Sequence, residues 1–378
     1  MSIDPASIVI PARLLPDDGR FGCGPSKIRP EQIDALVTAQ DTILGTSHRQ
    51  PAVKNLVGSV RSGLTSLFGL PDGWEIVLGN GGSTVLWDVA TFGLIRECSQ
   101  HLVFGEFSSK FADASATAPH LGQPTVITSD TGSHPSAVAE DGIDLYALTH
   151  NETSTGVAMQ LTRPTGTSAE TALVAVDATS AAGGLLWEPS EVDVYYFAPQ
   201  KCFASDGGLW LAACSPAAVE RIETIGSSNR WRPASLDLKI ALDNSKLNQT
   251  YNTPALATLV MLDAQVRWMN DNGGLAFAAG RSAQSAAMLY GWAVDSSYAT
   301  PFVADAEKRS NVVGTIDLDD GIDATAVSAV LRANGILDTD SYRKLGRNQL
   351  RIGMFPAIEP SDVEALTRCI DHVVEALV

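Results

Sequence analysis

The feature that most limits what this chain can become is a series of short, almost wholly apolar runs, each closed by polar or glycine residues. Leu173–Val176 leads into Asp177, Val194–Phe197 leads into Ala-Pro-Gln-Lys201, and Leu209–Ala213 follows a Gly-Gly pair. Four or five apolar residues without polar alternation read as strands buried on both faces, as in parallel sheets covered by helices. Similar runs stand at Glu75–Leu78, His101–Phe104, Thr125–Thr128 and Leu145–Leu148, with helical periodicity at Glu31–Leu44, Val53–Phe68 and Val85–Leu94. Alternation of this kind from about residue 30 to about 225 predicts an α/β fold: a mixed, mostly parallel sheet with helices on both faces. After Asn252-Thr253-Pro254 the texture changes. A helical pattern runs over Leu256–Met269, breaks at Asn272-Gly-Gly and resumes to Trp292; strands follow at Val312–Ile316 and Leu350–Met354, then a helix over Ser361–Leu377. This predicts a smaller α+β domain, and 378 residues suffice for two cores.

The strand ends carry the chemistry. Asp177 is followed by Ala-Thr179, and Lys201 by Cys-Phe-Ala-Ser-Asp-Gly-Gly, so two consecutive strand candidates deliver a carboxylate and an amine to one rim of the sheet. The carboxyl ends of strands are where α/β proteins build sites. Either residue alone is an ordinary strand end, the aspartate a helix cap and the lysine a solvated cation. Together they suit pyridoxal 5'-phosphate, with the lysine as Schiff-base amine and the aspartate keeping the pyridine nitrogen protonated.

Three other segments offer donors. Asn80-Gly-Gly-Ser83-Thr84 lies between a strand and a helix, where glycines let the backbone approach an anion at a helix N-terminus. It lacks the Gly-Lys-Ser/Thr of a Walker loop and the third glycine of a dinucleotide fingerprint, so a single phosphate is its natural guest. Gly45-Thr-Ser-His48-Arg49-Gln sets a planar donor fork beside an imidazole, against the alternative of a solvated connector. Tyr342-Arg343-Lys344-Leu-Gly-Arg347, with Arg351 on the next strand, is the densest basic segment; it is either a solvated face or an anion site.

Formal net charge is -17. Such a field disfavours nucleic acid and anionic membrane as partners, so an anionic substrate has to meet a local basic patch. Five scattered cysteines, none at metal-ligand spacing, suit small core positions in a reducing compartment and imply no metal. The first twenty residues mix Asp4, Pro5, Pro11, Pro16, Asp17 and Asp18 among short apolar pieces, unlike a signal peptide. No stretch is apolar for long enough to span a bilayer, so the expected location is cytoplasmic.

Gly22-Cys-Gly-Pro25-Ser26, Ser47-His48-Arg49, Asn151-Glu152-Thr153, Asp177-Ala-Thr179, Ala198-Pro-Gln200-Lys201 and Asn252-Thr253-Pro254 occur in an order and spacing that cover nearly the whole chain. By these motifs the chain resembles the phosphoserine aminotransferases, class V, fold-type I pyridoxal-phosphate enzymes, and their actinobacterial branch in particular. The resemblance implies a large cofactor-binding domain over residues 23–265 and a small domain of residues 1–22 plus 266–378. It gives Lys201 the Schiff base and the proton transfer, and Asp177 the pyridinium nitrogen. Thr153 would donate to the ring oxygen, Phe107 would stack on the ring where the family often has Trp, and Thr179 replaces the more usual serine. Ser83, Thr84 and Gln200 would hold the cofactor phosphate, with Asn252 and Thr253 reaching across from the second subunit of a homodimer.

For substrates, the resemblance implies L-glutamate, 3-phosphohydroxypyruvate and O-phospho-L-serine, with L-serine biosynthesis as the setting. Arg351 would take the α-carboxylate, and His48 with Arg49 the phosphate or distal carboxylate. A side activity on 4-phosphohydroxy-L-threonine is compatible with that clamp. Many members place a His-Arg pair before the carboxylate arginine; the altered spacing here leaves Arg347 and Lys344 as candidates for the second half of the clamp. Two alternatives share Asp177 and Lys201. A class V enzyme of the alanine or serine–glyoxylate type does not need the basic clamp, and a non-catalytic cofactor or amino-acid sensor would need an output module. Cysteine desulfurase is disfavoured because no cysteine stands in a clear loop context.

Overall fold

A computed structural model describes residues 7–377. The first six residues, among them Asp4 and Pro5 of the arm assigned to the small domain, lie outside the described residues. The chain runs α1 (Pro30–Ala39), α2 (Pro51–Leu67), β1 (Glu75–Asn80), α3 (Ser83–Gly93), β2 (Ser99–Val103), α4 (Glu106–Thr117), β3 (Thr125–Thr128) and β4 (Leu145–Thr149). A two-residue hairpin, β5 (Asn151–Glu152) with β6 (Val157–Ala158), precedes β7 (Leu173–Asp177), β8 (Val194–Phe197) and β9 (Leu209–Cys214). Then come α5 (Pro216–Gly226), α6 (Leu238–Lys246), α7 (Leu256–Asp271), α8 (Gly274–Asp295), β10 (Ala299–Pro301), β11 (Val313–Leu318), α9 (Ala324–Ala333), β12 (Gln349–Gly353) and α10 (Pro360–Leu377).

Seven strands form one sheet in the order β1-β9-β8-β7-β4-β2-β3. The five from β8 to β3 are parallel, while β9 runs antiparallel to both β8 and β1. The sheet is therefore mixed and mostly parallel, as the apolar runs require. Alternate residues of one strand enter opposite cores: Val174 and Val176 pack on the side of α1, α2 and α7, whereas Leu173 and Ala175 pack with Leu86, Phe111 and Ile222 of α3, α4 and α5. A third cluster gathers β11, β12, α8, α9 and α10 with Ile10 and Phe21, around an antiparallel sheet β10-β11-β12. No helix among the described residues is long and apolar enough to cross a membrane.

The helix expected to continue to Leu44 stops at Ala39. Beyond it the backbone closes turns in which Ile43 and Leu44 N-H both reach the Ala39 carbonyl, and Gly45 adopts φ +73°. Asp41 and Thr42 are poor helix formers, and a left-handed glycine at Gly45 ends the segment. At the other boundary, α3 begins at Ser83 rather than Val85, because Gly82 takes φ +85° as its N-cap.

Two features of this scaffold place the site. In the parallel pair β7·β8, Asp177 stands opposite Tyr196, so the chain leaves both strands at the same edge. From the smaller sheet, residues 20–26 then cross to that edge: Gly353 N-H bonds the Phe21 carbonyl at 2.7 Å, and Ser26 N-H bonds the Gln200 carbonyl at 2.9 Å.

Candidate active site

Along that edge lies a cavity of about 440 Å³, lined by Pro25, Ser83, Thr84, Trp87, Phe107, Asn151, Thr153, Asp177, Thr179, Gln200 and Lys201 among others. Eight of the residues expected from the sequence line one cavity, although they come from α3, α4, the turn after β5 and the ends of β7 and β8. Its floor at one end is a glycine cup. Gly81 and Gly82 have φ of +119° and +85°, and a Cβ at Gly81 would meet Val85 Cγ2 at 2.4 Å. Their conformations turn the first free N-H groups of α3 toward the cavity, a geometry suited to an anion.

Lys201 is almost fully buried, and its amine donates to the Cys23 carbonyl at 2.5 Å. The strap at residues 23–25 passes so close that a Cβ on Gly24 would meet Nζ at 2.3 Å. Burial, with a smaller contribution from the Arg351 cation, lowers this lysine from 10.5 to about 8. Roughly a tenth is thus an unprotonated nucleophile at pH 7, against well under a thousandth for an exposed lysine. Ser26 Oγ donates to the Lys201 carbonyl at 2.5 Å and so holds the strap to the lysine's own backbone.

Asp177 is also buried, which pushes its carboxyl upward; hydrogen bonds from Thr179 and Trp87 oppose that shift. Thr179 gives its N-H and hydroxyl to Oδ1 at 2.9 and 2.6 Å, and Trp87 Nε1 reaches Oδ2 at 3.2 Å. Ser83 and Thr179 hydroxyls stand 2.7 Å apart, joining the glycine cup to the carboxylate. Across the cavity, Thr153 and Asn151 both donate to the Ser180 hydroxyl at 2.8 Å. The amide oxygens of Asn151 and Gln200 are buried without a partner. Such atoms cost about 1–3 kcal/mol each when unpaired, so a polar guest is expected here.

Trp87, Asn151 and Ser180 were missed as individual contributors. Trp87 was legible, since it lies four residues after Ser83 and hence on the same helix face. Ser180 directly follows Thr179 and gives no such signal.

The remaining predicted residues lie outside the cavity lining. Arg351 enters from β12, with one guanidinium N-H on the Thr153 carbonyl at 3.3 Å and the group 5.2 Å from the Tyr342 ring centre; its Nε is buried without a partner. Tyr342 in turn lies 5.9 Å from Phe107. Lys344 pairs with Glu106 at 2.5 Å, and Arg347 with Asp317 at 2.6 Å. His48, Arg49, Asn252 and Thr253 form a separate group: Thr253 Oγ1 lies 3.2 Å from His48 Nδ1, the Thr253 carbonyl accepts from Asn80, and Arg49 holds Gln249 at 2.5 Å. His48 Nε2 is buried and unpartnered, and burial, then the neighbouring Arg49, lowers that imidazole below its usual range.

Residues 129–339 match the family Aminotransferase class-V. A phosphoserine aminotransferase of a Nocardioides species is 61% identical over 371 residues, 98% of this chain and 99% of its own. The chain belongs to the phosphoserine aminotransferase family. The fold is that of the family as well. A phosphoserine aminotransferase from Cytophaga hutchinsonii superposes with a TM-score of 0.85 at 21% identity, over 94% of this chain and 99% of that one. The pyridoxal-phosphate-bound phosphoserine aminotransferase of Trichomonas vaginalis gives 0.78 at 18% identity, over 94% and 99%.

The depressed amine yields a direct expectation. Peptide-resolved acylation of the cofactor-free protein, followed by mass spectrometry across pH, will show Lys201 titrating near 8, well below exposed lysines. The unfolded chain keeps this lysine protonated up to 10.5, so its burial penalty is full below pH 8 and fades as pH rises through that window. Removing the nearby cation with Arg351→Ala will raise the midpoint. A midpoint near 10.5 in the wild type, or no upward movement in the variant, contradicts the assignment.

Proposed function

We propose that the protein transfers the amino group between L-glutamate and 3-phosphohydroxypyruvate, reversibly and with pyridoxal 5'-phosphate, giving O-phospho-L-serine and 2-oxoglutarate in L-serine biosynthesis. The observation that carries this reading is the buried, weakly basic Lys201 amine in one cavity with the Asp177 carboxylate and the Ser83-Thr84 glycine cup. The residues present fit the cofactor: an anion cup at one end, a carboxylate for the ring nitrogen, an aromatic face at Phe107, and unpartnered amide oxygens at Asn151 and Gln200. When bound, pyridoxal phosphate supplies an aldehyde that exchanges between amines and a protonated ring that withdraws electrons from the substrate Cα.

Each side chain then has a physical task. Lys201 would hold the cofactor through its amine and move the proton at the substrate Cα, which a pKa near 8 permits in both directions. Asp177, whose carboxyl accepts from Thr179 and Trp87, would hold the ring-nitrogen proton in place. Ser83, Thr84 and Gln200 would hold the phosphate, Thr179 orients Asp177, and Thr153 and Phe107 would hold the ring. Arg351 takes the substrate α-carboxylate with its unpartnered Nε, whose burial excludes competing water.

The substrate phosphate falls to His48 and Arg49. These share a patch of structure with Asn252 and Thr253, and none of the four lines the cavity of its own chain. In a homodimer this patch completes the partner subunit's cavity, with Asn252 and Thr253 at the phosphate cup. Lys344 and Arg347 join the clamp only by exchanging Glu106 and Asp317 for substrate. The division into a large domain, 23–265, and a small one, 1–22 plus 266–378, accompanies this reading. Five unpaired cysteines favour a reducing, cytoplasmic setting.

Lys201→Ala will abolish turnover and the lysine-dependent visible absorption of the cofactor; retention of both would end the proposal. For Arg49→Ala, kcat/KM with 3-phosphohydroxypyruvate will fall about a hundredfold, in line with a lost charge-assisted pair, while cofactor affinity holds. An unchanged ratio between phosphorylated and unphosphorylated acceptors argues instead for an alanine or serine–glyoxylate type of enzyme.

A further inference from the structure

Between Asn151 and Thr153, which face the cavity, Glu152 points the other way and is fully buried. Its carboxylate forms no ion pair among the described residues. It is held by hydrogen-bond donors instead. Phe107 N-H reaches its two oxygens at 3.1 and 3.3 Å, Ser108 N-H at 2.8 Å, Ser154 N-H at 3.1 Å and the Ser154 hydroxyl at 2.6 Å. Ser154 Oγ also accepts from Glu106 N-H at 3.1 Å. The first three N-H groups of α4, the orphan donors of its open end, are therefore all satisfied from the β5–β6 hairpin. A buried anion without a cation is tolerable here because it sits on the positive end of the helix dipole.

Contact is close enough to exclude adjustment. A Cβ on Gly105 would meet Glu152 Cγ at 2.3 Å, so the carboxylate and the helix start have no space between them. The carboxylate binds the backbone N-H of Phe107 itself, the residue whose side chain lines the cavity. Thr153, at one side of the cavity, and Phe107, at another, are thus separated by one side chain.

We propose that Glu152 is a positioning residue that fixes the Phe107 ring over the cofactor by anchoring the first turn of α4. The inference rests on the reading that Phe107 stacks on pyridoxal phosphate. Glu152→Gln keeps the shape but replaces one acceptor by an NH2 group aimed at backbone donors, so the turn has to shift and the ring with it.

Four full-length proteins reconstituted with pyridoxal phosphate test this: wild type, Glu152→Gln, Phe107→Ala and the double variant, each read by cofactor dissociation constant and visible circular dichroism. Glu152→Gln is expected to weaken cofactor binding about tenfold and to reduce the dichroic band, as loss of hydrogen bonds to a charged group implies. In the Phe107→Ala background the same change is expected to weaken binding by no more than about twofold, the limit of independent effects. If Phe107→Ala has no effect, the stacking reading falls and the proposal with it. If Phe107→Ala weakens binding but Glu152→Gln is neutral, or the two losses add, only the role given to Glu152 is overturned. Should Glu152→Gln fail to fold, Ser154→Ala, which removes one donor from the same carboxylate, enters the same cycle with the same criteria.

Discussion

The structure depends on the parallel pairing of β7 and β8. Two strands buried on both faces and running the same way have to release their chains at one edge, and those chains begin with Asp177 and end at Lys201. The burial that stabilises the sheet also removes water from both groups. It weakens the lysine as a base and strengthens the aspartate, moving the two pKa values toward each other. Neither group is left uncompensated: the amine has the Cys23 carbonyl, and the carboxylate has Thr179 and Trp87. One packing decision thereby sets both the geometry and the proton chemistry of the site.

Helix N-termini supply much of the remaining positive potential. The start of α3 opens onto the cavity through Gly81 and Gly82, whereas the start of α4 is closed by Glu152 and Ser154. One end is left for a ligand and the other is used internally. In a protein of net charge -17, this division matters, because local donors and a few cations have to overcome a repulsive field to hold a dianionic substrate. Arg351, His48 and Arg49 each present an unpaired or exchangeable donor. Lys344 and Arg347 are already committed to carboxylates, and recruiting them requires those pairs to open.

Much of this was legible in the chain because strands buried on both faces leave an unbroken apolar signature, and because the residues that end them line the cavity. Asp177 and Lys201 stand out as a pair on consecutive strand ends, and Ser83 and Thr84 by their place between a strand and a helix after two glycines. The end of α1 did not, since apolar periodicity continues through Ile43 and Leu44 after the helix has ended at Ala39. The β5–β6 hairpin is too short to show a period at all. Other parts depend on contacts far apart in sequence. The Cys23 carbonyl reaches Lys201 only because Phe21 is pinned to Gly353, and Arg347 meets Asp317 across thirty positions. Glu152 belongs to a recognisable motif, yet its partner is a helix start that no spacing rule connects to it.

The central claim is that a buried amine and a separate basic clamp together select an amino acid bearing a second anionic group. Its most direct test is a single-turnover experiment on the cofactor-loaded protein, following the visible band after mixing with O-phospho-L-serine, L-serine or L-alanine at matched concentration. The account predicts conversion by O-phospho-L-serine at least about a hundredfold faster than by the neutral amino acids, the discrimination that one desolvated charge-assisted pair supplies. Equal rates for the three would contradict it.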